Sequence, residues 1–157
     1  RVLRPGGRLA LFEPVGSLSY LDPPGTLWGY DLSAEPELLA RVRGVFDRAQ
    51  PPDRDPLYNW TERDLLHWAR RAGFAEIQLD LSVQVGQQAP QAWDSFFRTA
   101  GNPKLPSLAE AVEHSLTIPE AERFLNLMRP LVESGQGVRR SATLYLSATK
   151  AGAYARI

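Results

Sequence analysis

The stretch that most limits the fold is Arg4-Pro5-Gly6-Gly7 followed by Leu9-Ala10-Leu11-Phe12. Proline presets φ at the second position of a tight turn. Glycine takes the positive φ that a type II turn demands at the third. The four apolar residues then run unbroken between Arg8 and Glu13. A short continuous run bounded by turn signals predicts a strand buried on both faces, as in a parallel sheet. Arg1-Val2-Leu3, just before the turn, reads as the last turn of a helix. Helix, tight turn and buried strand make one arm of a doubly wound α/β fold. The chain starts at Arg1 and its one methionine is Met128, so a piece of a longer protein is expected.

With 157 residues the chain is long enough for a single domain to bury a core without covalent staples. Lys+Arg and Asp+Glu both number 18, for a net charge of zero. That balance lacks the basic surplus on which phosphate contacts draw, so no nucleic-acid partner is expected. The absence of cysteine excludes disulfides, thiolate nucleophiles and thiolate metal sites. No apolar run reaches the roughly 20 residues of a membrane helix. No signal-peptide pattern is visible, and a cytoplasmic location is the expectation. His67 and His114 stand apart, with no carboxylate pattern around either, so neither a metal site nor hydrolase chemistry is expected.

Further along, residues 14–32 carry Pro14, Gly16, Pro23, Pro24, Gly25 and Gly29 and predict a long loop. Leu38, Leu39, Val42, Phe46 and Ala49 form one stripe of a helix over 35–49, ended by Pro51-Pro52. Loop and helix together make an insert over 14–50. Thr61 with Asp64 predicts a capped helix whose stripe is Leu65, Trp68, Ala69 and Ala72, closed by Gly73. Residues 76–85 alternate Ile77, Leu79, Leu81, Val83 and Val85 with polar neighbours, a strand with one wet face. Residues 90–137 read as a helical insert. Trp93, Phe96 and Phe97 suit a short helix packed into its core. Ser107 with Glu110 and Thr117 with Glu120 are capping boxes opening two more helices. Pro130 falls inside the last of these, where a kink is expected. A second alternating strand spans 141–149, and 151–157 reads as a frayed tail.

In this order the chain resembles the carboxyl-terminal half of a class I S-adenosylmethionine-dependent methyltransferase of the small-molecule type. Three segments carry the likeness: Arg1 to Glu13 with its RPGG turn, Trp60-Thr61-Glu62-Arg63-Asp64-Leu65-Leu66 through Ala72-Gly73-Phe74, and Ser141 to Lys150. The resemblance implies a Rossmann-like fold of which this chain, 1–157, is a single partial domain. It implies a three-stranded mixed sheet from 8–13, 76–85 and 141–149, with the last strand central, running antiparallel and slotted between the other two. The helical inserts resemble substrate lids. The implied reaction is in-line displacement, an acceptor N, O, S or C attacking the sulfonium methyl of S-adenosylmethionine. The glycine-rich cofactor loop and the ribose-holding acid belong to the other half of that fold. No cofactor is therefore expected on this chain by itself, which would be inactive alone.

Glu13 closes the first strand, where open α/β sheets bind ligands. It reads as a base or anchor for the acceptor, or as a solvated strand-ending acid. Tyr20, Trp28, Tyr30 and Trp60 read as the lining of a small-molecule acceptor pocket, or as aromatics packing the loops to the body. Residues 14–32 and 90–135 would form one wall of that pocket. Two other readings stay open: a different doubly wound enzyme, such as a nicotinamide dehydrogenase, and a non-catalytic remnant that binds a ligand or partner. The strand at 8–13 would lack a neighbour on one side, which predicts a homodimer through that strand.

Overall fold

The computed structural model describes residues 3–19, 22–56 and 58–152. Arg1 and Val2 of the expected helix end, and residues 153–157 of the expected tail, lie outside them. The chain divides into two compact units. One gathers the described residues of 1–20, 56–84 and 141–157 around a sheet. The other gathers 21–55 and 85–140, so most of the 14–50 insert and the 90–137 insert make one helical unit.

The sheet unit starts at the RPGG turn. Gly6 has φ +77°, and the Gly7 N–H donates to the Arg4 carbonyl at 2.9 Å. The turn delivers the chain into strand β1, Arg8–Pro14. Helix α1, Gly16–Ser19, follows. Helix α3, Glu62–Arg71, opens on the expected Thr61–Asp64 capping box. At its other end Gly73 takes φ +79°, and the Lys150 ammonium donates to the Ala72 carbonyl. Strands β4, Phe74–Gln87, and β5, Val138–Lys150, complete a three-stranded sheet in the order β1-β5-β4. The last strand is central, and β1 lies against it from Arg8↔Thr149 to Pro14↔Thr143. The expected mixed sheet is corrected in one respect: neighbouring strands are antiparallel. The strand that returns last sits between the two others, so the pair that runs the same way is never adjacent.

Inward residues of β5 (Ala142, Leu144, Leu146 and Ala148) form the core with Val15 and Ala69; Leu9, Leu11, Leu65, Ile77 and Leu79 pack on it. Three expectations fail here in whole or in part. The run Leu9 to Phe12 is not buried on both faces: Leu9 and Leu11 are half-buried, while Ala10 and Phe12 are exposed. Phe12 packs instead across the strands on Tyr145, ring centroids 5.0 Å apart, and both stay more than half exposed. Trp68 belongs to the predicted apolar stripe of α3, yet it too is half exposed, and Ala69 carries the burial. On β4 the alternation holds at Ile77 and Leu79, but Leu81, Val83 and Val85 are exposed. Among the described residues nothing in this unit covers that end of the strand.

The helical unit is built from α2 (Pro36–Ala49), α4 (Trp93–Arg98), α5 (Leu108–Ser115) and α6 (Ile118–Ser134). Helices α2 and α4 each pack on both α5 and α6. Leu38, Leu39 and Val42 meet Leu108, Ala111, Val112, Phe124, Met128 and Val132 in its core. Both predicted capping boxes close, at Ser107–Glu110 and Thr117–Glu120. Pro130 lies inside α6, which continues to Gly135 in the left-handed region. The predicted loop is more ordered than a loop: it contains a minimal hairpin, β2 (Thr26–Leu27) and β3 (Tyr30–Asp31). No described helix is long and apolar enough to cross a membrane.

Candidate functional site: a neutral concavity at Trp28

Leu27 pairs with Tyr30, so Trp28 and Gly29 form a two-residue hairpin turn. Both have positive φ, +51° and +83°, the pattern of a type I′ turn. Glycine suits that conformation and a tryptophan does not. Contacts from three directions hold it there. The Asp22 carboxylate accepts from the N–H groups of both Trp28 and Gly29, the latter at 2.9 Å. The Gln88 amide donates to the Trp28 carbonyl. The Val138 N–H donates to the Gly29 carbonyl at 2.9 Å. The segment that brings Asp22 is itself tied down, because the Arg43 guanidinium donates to the carbonyls of Asp22, Pro23 and Thr26.

This frame sets the indole edge-on to Phe46 and Phe96, at centroid distances of 5.0 and 5.6 Å. Trp28 keeps 39% of its surface exposed. The exposed part faces a concavity of about 560 Å³ lined also by Gln91, Ser95, Phe96, Thr99 and Gly101. That volume lies within the roughly 300–1,000 Å³ range of small-molecule sites. No ionisable side chain lines it.

The four sequence-predicted aromatics have different fates. Trp28 lines the concavity. Tyr30 does not: its ring is fully buried in the helical unit's core, edge-on to Phe96 at 5.7 Å. Its hydroxyl accepts from Gln91 at 3.2 Å and donates to Gln88 at 3.4 Å. Burial raises the Tyr30 pKa, and the Gln91 bond opposes this only in part, so the phenol stays neutral. Trp60 packs half-buried against the core of the sheet unit. Tyr20 lies outside the described residues. Glu13 sits exposed on β1 opposite Leu144 and makes no ion pair with another described residue.

Gln91, Ser95 and Thr99 were not foreseen. Ser95 lies on α4, Gln91 just ahead of that helix and Thr99 at its carboxyl cap, and polar residues in and around a short helix read as solvated. Asp22 was missed as well, since Trp-Gly is not a pair that announces a type I′ turn.

No family model matches the chain, and no curated protein matches it significantly.

The one G-x-G, Gly135-Gln136-Gly137, joins a helix to a strand, not a strand to a helix. A Cβ on Gly135 would lie 2.6 Å from the Gln88 carbonyl oxygen, and one on Gly137 2.7 Å from the Tyr30 ring. These glycines admit neighbouring chain atoms, and there is no room between for a ligand.

Proposed function

We propose that this chain is the acceptor-side half of an S-adenosylmethionine-dependent methyltransferase acting on a small molecule. The observation that carries the reading is the sheet: an RPGG type II turn feeding β1, and a last strand running antiparallel between β1 and β4. Sheets that bind dinucleotides in doubly wound folds are mostly parallel. An antiparallel central strand therefore favours the methyltransferase reading over a nicotinamide dehydrogenase.

In this reading the chain's own residues act on the acceptor. Trp28 and Phe96 hold it by ring contact, and the hydroxyls of Ser95 and Thr99 orient it. Proximity and orientation supply much of the rate in a two-substrate transfer. Cofactor binding would fall to residues outside this chain, because at the one G-x-G the positions of Gly135 and Gly137 are filled by neighbouring chain atoms.

The test uses the full-length gene product. It is expected to bind S-adenosylmethionine and to consume it in the presence of an acceptor extract. A folded full-length protein that shows no binding of S-adenosylmethionine by calorimetry would overturn the proposal. A non-catalytic ligand-binding module is the second reading, favoured by one fact: the concavity is formed within the helical unit and needs no residue of the sheet.

A further inference from the structure

We infer that the concavity at Trp28 takes a neutral, planar aromatic ligand bearing a hydroxyl or keto oxygen. As an acceptor class this rests on the methyltransferase reading; as a binding site it does not.

The walls select the shape. Trp28 and Phe96 offer ring surface from two elements that are far apart in sequence, and their edge-on contact fixes the angle between them. A planar ring gains most from such a wall, through stacked or edge-on contact. The strained Trp28 backbone is a further pointer. Left-handed conformation is unfavourable for a residue that carries a side chain. Here it is held by the Asp22 carboxylate, the Gln88 amide and the Val138 N–H together. Strain of this kind persists where the surroundings over-determine it. Its effect is to present the largest apolar side chain available at a turn, partly uncovered, to an open space.

The polar groups select the chemistry. Ser95 on α4 and Thr99, the residue that caps the carboxyl end of that helix, both line the concavity. Neither hydroxyl makes a hydrogen bond to another described residue. Gln91, by contrast, already donates to Tyr30 and Gln88. Two uncommitted hydroxyls, each able to donate and accept, match a phenol or a ketone. A carboxylate or ammonium group would surrender water for a lining with no counter-charge, which is costly. At Gly101 the rim is open, with no atom within 4 Å of a Cβ placed there.

The experiment titrates this chain, without S-adenosylmethionine, with three probes that share one naphthalene ring: 2-naphthol, 2-naphthoate and 2-naphthylmethylammonium, followed by ligand-observed NMR and calorimetry. The expected result is submillimolar binding of 2-naphthol, with both charged probes weaker by about tenfold or more. Trp28→Ala should weaken 2-naphthol by about tenfold. That variant also loses contact with Phe46, so Ser95→Trp is the second. It fills the concavity from an exposed helix position and should abolish binding without lowering Tm. Three outcomes each overturn the inference: no binding of 2-naphthol, equal binding of the charged probes, or full binding by Ser95→Trp. None of them bears on whether the full-length protein binds S-adenosylmethionine, so the two proposals fail separately.

Discussion

Replacing Gly29 by alanine tests the frame that holds Trp28. Two costs are built into the position. Its φ of +83° is a conformation in which a Cβ costs about 1–2 kcal/mol. The added Cβ would also lie 2.0 Å from the Val138 carbonyl oxygen and 3.0 Å from its carbon. Backbone cannot rotate away as a side-chain tip can, so either the turn or the start of β5 must move. Movement breaks the Val138 N–H to Gly29 carbonyl bond, worth about 0.5–1.5 kcal/mol. With the strain of overpacking included, Gly29→Ala should destabilise by about 2–4 kcal/mol. Two other glycines of the same unit separate the contributions. Gly25 has φ +84° but only the Ser33 side chain at 3.3 Å, so Gly25→Ala should show little beyond the conformational cost, about 1–2 kcal/mol. Gly101 has no positive φ and nothing nearby, so Gly101→Ala should be within about 0.5 kcal/mol of the parent. Urea denaturation followed by far-UV circular dichroism is the assay, since α2, α4, α5 and α6 all belong to this unit. Equal losses for Gly29→Ala and Gly25→Ala would refute the reasoning, because the carbonyl approach would then contribute nothing.

Glu120 should give the protein an acid-sensitive limb. The Arg41 guanidinium hydrogen-bonds it at 2.7 Å, and the Thr117 N–H and hydroxyl add to the effect, lowering its pKa from 4.5 to about 2. A depressed folded pKa means that this stability is fully present above 4.5 and is lost as pH falls towards about 2; Glu120→Gln should flatten the fall of Tm across that window. The chain itself should bind S-adenosylmethionine with a Kd weaker than micromolar, and a micromolar value by calorimetry would contradict the reading that cofactor binding falls to residues outside it. Strand β1 is an edge of the sheet, and Phe12 and Tyr145 stand uncovered beside it, so a homodimer through β1 is expected in light scattering at micromolar concentration. Phe12→Lys should shift it towards monomer, and a 17.5 kDa species for the parent chain would rule the dimer out.

The features legible in the sequence are those whose cause lies within a few residues. The RPGG turn depends on Pro5 and Gly6, and its hydrogen bond closes between Arg4 and Gly7. The capping boxes at Thr61, Ser107 and Thr117 each join a hydroxyl residue to an acid three places on. Such signals survive whatever the rest of the chain does, which is why the helices begin where the pattern puts them. Burial is different. Leu9 to Phe12 is apolar throughout, but a strand is buried only on the sides where something packs, and here Val15, Ala69 and the inward row of β5 serve one face. The alternation of β4 likewise states that Ile77, Leu79, Leu81, Val83 and Val85 share a side, not how far along that side the cover extends. At Trp28 the gap is widest. Its left-handed turn is held by Asp22, six residues back, by Gln88, sixty residues on, and through Gly29 by Val138 at the start of the last strand. Ser95 lies on α4 and Thr99 caps its carboxyl end, and nothing local says that an indole and two unused hydroxyls will share one space. Spacing states which residues share a face; closure of the chain decides what that face meets, and the candidate site is made from the second.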